Sequence, residues 1–191
     1  LAQAFSKGGC TLCVLSRGDL DITDLELFLK RANNFKPDLI LNAAAFTAVD
    51  ENELFPERAF RVNAMGAQNA ALVAREQKAR LVHFSTDYVF DGAQNRAYRE
   101  DDRPAPLSVY GKSKLSGEKL VKKTHNMHFI VRTSWLFGEH GKNFVRTIYI
   151  KLLGQKAIRV VSDQRGSPTY CKDLAAAVMT LAKTSAYGTY H

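Results

Sequence analysis

The sequence holds little of what would place it outside ordinary globular chemistry. Cysteine occurs three times, at Cys10, Cys13 and Cys171. That odd number cannot close a disulfide framework and points to a reducing cytoplasm. Cys10 and Cys13 have C-x-x-C spacing, but both fall in an apolar stretch, Cys10–Leu15, read here as a buried strand. Residues three apart on a strand face opposite sides, so neither a metal site nor a redox pair is expected. No apolar run approaches about 18 residues, so no transmembrane helix is predicted and no membrane partner is expected. No basic-then-apolar leader opens the sequence, and neither internal repeats nor low-complexity segments appear.

What is present is ordinary for a soluble globular protein. The 191 residues are 46% hydrophobic and 24% charged, with a formal net charge of +8. A chain of this length can bury roughly 70% of its unfolded surface. The basic residues are spread along the chain, and the dense pair Lys122-Lys123 reads as a solvated helix end. Nucleic acid is therefore not expected as a partner, while the positive field suits a phosphorylated small ligand.

Strand-like and helix-like segments alternate. Residues 2–7 read as a helix ended by Gly8-Gly9, Cys10–Leu15 as a strand, and the residues after Asp24 as a helix. Leu39–Ala45 reads as a buried parallel strand and Pro56–Gln77 as a helix. Next come the strand Arg80–Ser85, a loop from Asp91 to Pro106 and a helix from Ser108 to about Lys122. His128–Arg132 is a strand, Asn143–Leu153 a helix, Ile158–Val161 a strand and Lys172–Lys183 a helix; a last strand starts near Gly188. This alternation predicts an α/β, Rossmann-like, doubly wound parallel sheet with helices on both faces. Ligands in such folds sit beyond the carboxyl ends of the strands. The polar segments that follow strands, Ser16–Asp21, Phe46–Asp50, Thr86–Gly92 and Thr133–Gly141, are thus the candidate site. The first strand with its Gly-rich turn is missing from the sequence, which reads as a fragment. Residues 1–191 are expected to form one nucleotide-binding domain, with pieces of a smaller substrate-binding region around 133–170 and beyond the carboxyl end.

Tyr110 and Lys114 stand four apart, on one face of the predicted helix. A tyrosine phenol titrates near 10, and an adjacent ammonium favours the phenolate; about three pH units of lowering requires about 4 kcal/mol. The spacing alone also suits an amphipathic helix with a surface lysine. Thr86 ends a strand, where its hydroxyl can share a substrate oxygen with Tyr110 or simply cap a turn. Small residues at Asn42–Ala45 allow a cofactor near the backbone or tight sheet packing. Asn63 either ties down a loop or faces solvent. Trp135, the single tryptophan, reads as a ligand contact or as core.

Several motifs occur in order: S-T-D-Y-V-F-D-G at Ser85–Gly92, Y-G-K-S-K-L-x-G-E at Tyr110–Glu118, and R-T-S-W-L-F-G at Arg132–Gly138. They are followed by K-N-F at Lys142–Phe144 and D-Q-R-G-S-P-T at Asp163–Thr169. Together they resemble the dTDP-4-dehydrorhamnose reductases, an extended branch of the short-chain dehydrogenase/reductases, from about Leu1 to His191. The resemblance implies reduction of the C4 keto group of dTDP-4-dehydro-L-rhamnose, with Tyr110 as proton donor. Lys114 would bind the nicotinamide ribose and depress the Tyr110 pKa, and Thr86 would assist at the substrate oxygen. It also implies cofactor contacts at Ala45, Phe46 and Thr47, adenine-side contacts at Asp21 and Ile22, and substrate contacts at Thr86, Asp87 and Trp135. Two alternatives stay open: a non-catalytic regulatory subunit of the same fold, and a reductase or epimerase of another nucleotide sugar. A homodimer is compatible with the family.

Cofactor choice has a physical handle. NAD-preferring sites usually carry a carboxylate after the second strand, for the ribose 2′-hydroxyl. Ser16-Arg17 stands there instead, and Arg17 can pair a 2′-phosphate. NADPH is therefore expected, with NADH the alternative.

Overall fold

The computed structural model describes residues 1–141, 143–154 and 157–191. Lys142 of the Lys-Asn-Phe motif lies outside the described residues. A helix, α1 (Ala2–Lys7), leads through irregular chain to α2 (Leu25–Phe35), whose first turn is capped by the Asp24 side chain accepting from the Leu27 amide at 2.9 Å. Such a cap satisfies an amide that helix geometry leaves unpaired. The order then runs β1 (Leu39–Asn42), α3 (Val49–Leu54), α4 (Pro56–Phe60), a π-helical turn (Arg61–Met65), α5 (Gly66–Glu76) and β2 (Arg80–Thr86). A 3-10 turn (Asp87–Val89) and a long loop precede α6 (Val109–Thr124), capped by Ser108. After it come β3 (His128–Thr133), β4 (Leu136–Phe137), α7 (Phe144–Gly154), β5 (Thr169–Tyr170), α8 (Cys171–Leu181) and β6 (Gly188–Tyr190).

β1, β2, β3 and β6 form a four-stranded, all-parallel sheet in that order. Alternation along the strands splits the core in two. Leu81 and Ile130 face α2 and α5, meeting Phe28, Ala70, Val73 and Ala74. Val82, Phe129 and Val131 face the other way, against Phe5 of α1 and Val178 of α8. Helices thus cover both faces, as a parallel sheet requires. β4 and β5 form a separate two-stranded parallel pair.

Two predicted strands are not formed. Cys10–Leu15 is irregular, and Cys10 and Cys13 are exposed rather than buried. In a doubly wound order, one more strand separates this segment from β1, and no described residue supplies it. Without a ladder partner, its backbone groups turn to solvent. Ile158–Val161 is likewise unpaired, with Val160 and Val161 exposed. β1 is shorter than expected, because Asn42 turns its side chain back to accept from the Ala44 amide at 3.1 Å.

Candidate functional site

Parallel strands deliver their carboxyl ends to one edge. There Asn42 ends β1, Thr86 ends β2 and Thr133 ends β3, with Thr86 and Thr133 in register. α6 lies against this edge at close range. A Cβ on Gly111 would lie 2.1 Å from the Tyr88 carbonyl oxygen, and one on Gly117 would lie 2.3 Å from the Asn63 carbonyl oxygen. The glycines of Tyr110–Glu118 are therefore what lets α6 press against the 3-10 turn and the π turn. That seating buries Tyr110 and Lys114, one turn apart.

Tyr110 packs edge-on to Tyr88, with ring centroids 5.6 Å apart. Burial raises its phenol above the usual tyrosine range; the neighbouring Thr86 hydroxyl pulls the other way, and Asp87 adds to the rise. The phenol is therefore fully protonated at neutral pH. Thr86 accepts from the Tyr88 amide at 3.2 Å and donates to Asp87 Oδ1 at 3.1 Å. The turn-capping reading of Thr86 is met, and its hydroxyl also lies beside that of Tyr110. Burial also lifts the Asp87 carboxyl above the ordinary aspartate range, opposed by the Thr86 hydrogen bond.

Lys114 is one of the most deeply buried side chains in the protein. Its Nζ donates to the Phe84 carbonyl at 2.6 Å, and burial lowers it to about 8, with Glu118 acting in the opposite direction. The depression expected on Tyr110 does not arise here. Desolvation of the phenol dominates, and the ammonium is engaged by β2.

The loop after β1 is tied to the same helix. Asn63, in the π turn, accepts from the Phe46 amide at 2.8 Å and donates to the Phe46 carbonyl at 3.1 Å and to Ser113 Oγ at 3.0 Å. The question left by the sequence is settled: Asn63 is buried and ties down a loop. Asn52 joins by donating to the Phe46 and Ala48 carbonyls. π turns recur at functional sites because they re-aim a side chain within a helix. Ala45 and Phe46 are half-buried, Thr47 is exposed, and Arg58 lies 4.4 Å over the Phe46 ring.

Ser16 and Arg17 are exposed, and Ser16 is held by Asp19 through its amide (2.9 Å) and hydroxyl (2.6 Å). Asp21 accepts from the Thr23 amide and hydroxyl, which lower its carboxyl pKa, with smaller help from Arg17 and Arg61. Ile22 is buried against Gly66, and its carbonyl accepts from Asn69 at 3.1 Å. Ile22 thus packs at the carboxyl end of the π turn. Trp135 follows β3 and takes φ +46°, the left-handed region, which costs a bulky residue about 1–2 kcal/mol. Gly166 makes room for it: a Cβ there would lie 2.8 Å from the indole. Ser134 Oγ donates to the Ser167 carbonyl at 2.6 Å, so the Asp163–Thr169 motif wraps the Trp135 segment.

Several contributors escaped the sequence reading. Glu118 receives Arg132 through Nε (2.9 Å) and Nη2 (2.7 Å) and Ser85 Oγ at 2.6 Å, all buried. Its signal was present: four residues past Lys114, it shares that face of α6. His83, buried beside Lys114, is held neutral by burial first and by the Lys114 charge next. Because Asn42 Oδ1 is taken by Ala44, Asn42 Nδ2 meets His83 Nδ1 at 3.0 Å, which puts the imidazole proton on Nε2.

A strand-end hydroxyl, a buried phenol and a buried lysine one turn on thus lie together at the carboxyl edge of the sheet. The model of the RmlD substrate binding domain family matches residues 1–191. The chain belongs to this family. Among its relatives, the dTDP-4-dehydrorhamnose reductase of Aggregatibacter actinomycetemcomitans is 41% identical over 97% of the chain. The spore coat polysaccharide biosynthesis protein SpsK of Bacillus subtilis (strain 168) is 41% identical over 95%. The chain spans 65% and 64% of the lengths of those two proteins. Among solved structures, dTDP-4-dehydrorhamnose reductase from Bacillus anthracis str. Ames in complex with NADP superposes with a TM-score of 0.95 at 41% identity. It covers the whole of this chain and 69% of that one. The Clostridium acetobutylicum ortholog gives a TM-score of 0.92 at 39% identity, over 99% of this chain and 69% of its own.

Proposed function

We propose that the protein containing this chain reduces the C4 keto group of dTDP-4-dehydro-L-rhamnose to dTDP-L-rhamnose, using NADPH. The observation that carries the reading is the seating of Tyr110 beside Thr86 at the end of β2, with buried Lys114 one turn further along α6. The named relatives give the substrate class.

NADPH, when bound, supplies the hydride for the carbonyl carbon. Tyr110 gives its phenolic proton to the carbonyl oxygen, a transfer suited to a group that burial keeps protonated. Thr86 donates a hydrogen bond to the same oxygen as charge develops there. Lys114 holds the ribose hydroxyls of the nicotinamide side and keeps a positive charge beneath the reacting centre. Ala45, Phe46 and Thr47 line the cofactor, with Asn63 and Ser113 fixing that loop to α6. Asp21 and Ile22 lie toward the adenine, and Ser16 and Arg17 toward a 2′-phosphate, which favours NADPH over NADH. Asp87 and Trp135, with Thr86, contact the nucleotide sugar, and pieces of the substrate-facing region fall around 133–170. Three free cysteines suit a reducing cytoplasm, and no helix among the described residues is long and apolar enough to cross a membrane.

The test follows NADPH oxidation by the full-length protein with the dTDP-4-keto sugar, alongside other nucleotide 4-keto sugars. Tyr110→Phe is expected to lower turnover by at least about a hundredfold while NADPH still binds. Undiminished turnover in Tyr110→Phe would remove the assigned proton donor. Tight NADPH binding with no turnover on any sugar would overturn the enzymatic reading.

A further inference from the structure

The Thr86 hydroxyl has a single proton, and two acceptors compete for it. One is the substrate oxygen, to which Thr86 donates in the reduction proposed above. The other is on the page already: Thr86 Oγ1 accepts from the Tyr88 amide at 3.2 Å and donates to Asp87 Oδ1 at 3.1 Å. Neither bond can be reversed while Asp87 is ionised. An amide only donates and a carboxylate only accepts, so the hydroxyl proton points at Asp87. The Tyr110 phenol, beside the same hydroxyl, then meets a lone pair rather than a proton. The chain of bonds runs from Tyr110 through Thr86 to Asp87, and neither hydroxyl is aimed at a substrate.

Protonating Asp87 reverses the chain. A neutral carboxyl donates to Thr86 Oγ1, which still accepts from the Tyr88 amide, and both lone pairs are then filled. The Thr86 proton is released, and so is that of Tyr110. We propose that Asp87 is a positioning residue that sets the direction of the Thr86 hydroxyl, its neutral form being the one that lets Thr86 and Tyr110 both donate to the substrate oxygen. The inference rests on the functional reading above in giving the two hydroxyls that shared oxygen. Burial favours the neutral carboxyl, and the Thr86 bond opposes it. The titratable groups that face Asp87 are Tyr110 of α6 and Tyr88 of its own turn. Other charges nearby are engaged elsewhere. His83 of β2 is neutral, Lys114 of α6 donates to the Phe84 carbonyl, and Arg132 of β3 is paired with Glu118.

Two measurements on the full-length protein test this. The first is a carbon-13 NMR titration of the Asp87 carboxyl, its resonance assigned by its loss in Asp87→Asn. Thr86→Val removes the donor to the carboxylate, and Thr86→Ser keeps it. The Asp87 midpoint is expected to rise by at least about half a pH unit in Thr86→Val, because a hydrogen bond to the charged form favours that form. In Thr86→Ser it is expected to stay in place. The second is the pH profile of kcat/KM for sugar reduction. In the parent protein kcat/KM is expected to fall about tenfold per pH unit above the Asp87 midpoint found by NMR. In Asp87→Asn, whose amide does not titrate, that limb is expected to vanish, whatever the absolute rate of the variant. An unchanged midpoint in Thr86→Val, or a limb that persists in Asp87→Asn, would overturn the proposal. Absence of sugar reduction by the parent protein would instead sink the functional reading, and the titration would still decide whether Thr86 bonds the ionised Asp87.

Discussion

Burying Lys114 makes the fold sensitive to alkali in an unusual direction. The folded protein releases the ammonium proton at about 8, whereas an exposed lysine keeps it to 10.5. Between those values the unfolded chain binds the extra proton, so raising pH there favours the fold, and below about 8 the buried charge is a standing cost. Lys114→Met is therefore expected to stabilise the protein at pH 7 by up to about 3 kcal/mol, less what its bond to Phe84 contributes. The gain should shrink as pH climbs from 8 toward 10.5. Chemical denaturation at stepped pH reads this directly, and a variant less stable than the parent at pH 7 would contradict it. Tyr110, Lys114 and Thr86 were legible as a group because motif order placed them. Their electrostatics were not: desolvation depends on what covers a side chain, and spacing along a helix does not contain it.

Among the elements, α6 and the π turn act as one unit. Asn63 is shared between the Phe46 backbone and Ser113, so the turn that holds the loop after β1 is bolted to the helix carrying Tyr110. Asn63→Leu orphans the Phe46 amide, and an unsatisfied buried donor costs about 1–3 kcal/mol. Faster hydrogen exchange at Phe46, with little change along β3, is the expected result. Gly117→Ala attacks the same seam from the other side. Its Cβ would meet the Asn63 carbonyl, a backbone atom that cannot swing away. A loss of roughly 1–3 kcal/mol in a urea titration is expected, as for overpacking elsewhere. The helix ends here were readable because caps are local chemistry: Asp24 and Ser108 bond amides three residues on. The π turn was not, since its sequence has the same apolar spacing as the helix on either side.

Across the whole molecule, stability is unevenly placed. β2 and β3 are packed on both faces, whereas α7 has no buried residue among those described. Local opening costs least where buried contacts are few. Amides of residues 144–154 should therefore exchange well before those of 80–86 and 128–133; equal protection would show a cooperative unit larger than the sheet. The parallel sheet was evident from alternating apolar runs. Cys10–Leu15 and Ile158–Val161 had the composition of strands and lacked a neighbour, which composition cannot supply. The β4–β5 pair went unseen because two-residue strands carry no periodicity.

Trp135 is the chain's single tryptophan, partly open to solvent and braced by Gly166 in a backbone conformation that few residues tolerate. Within this chain, tryptophan emission therefore originates from one known address, where the Asp163–Thr169 segment folds over the end of β3. The chain carries its own optical reporter, and changes in how the Asp163–Thr169 segment packs can be followed by intrinsic fluorescence without attaching a dye.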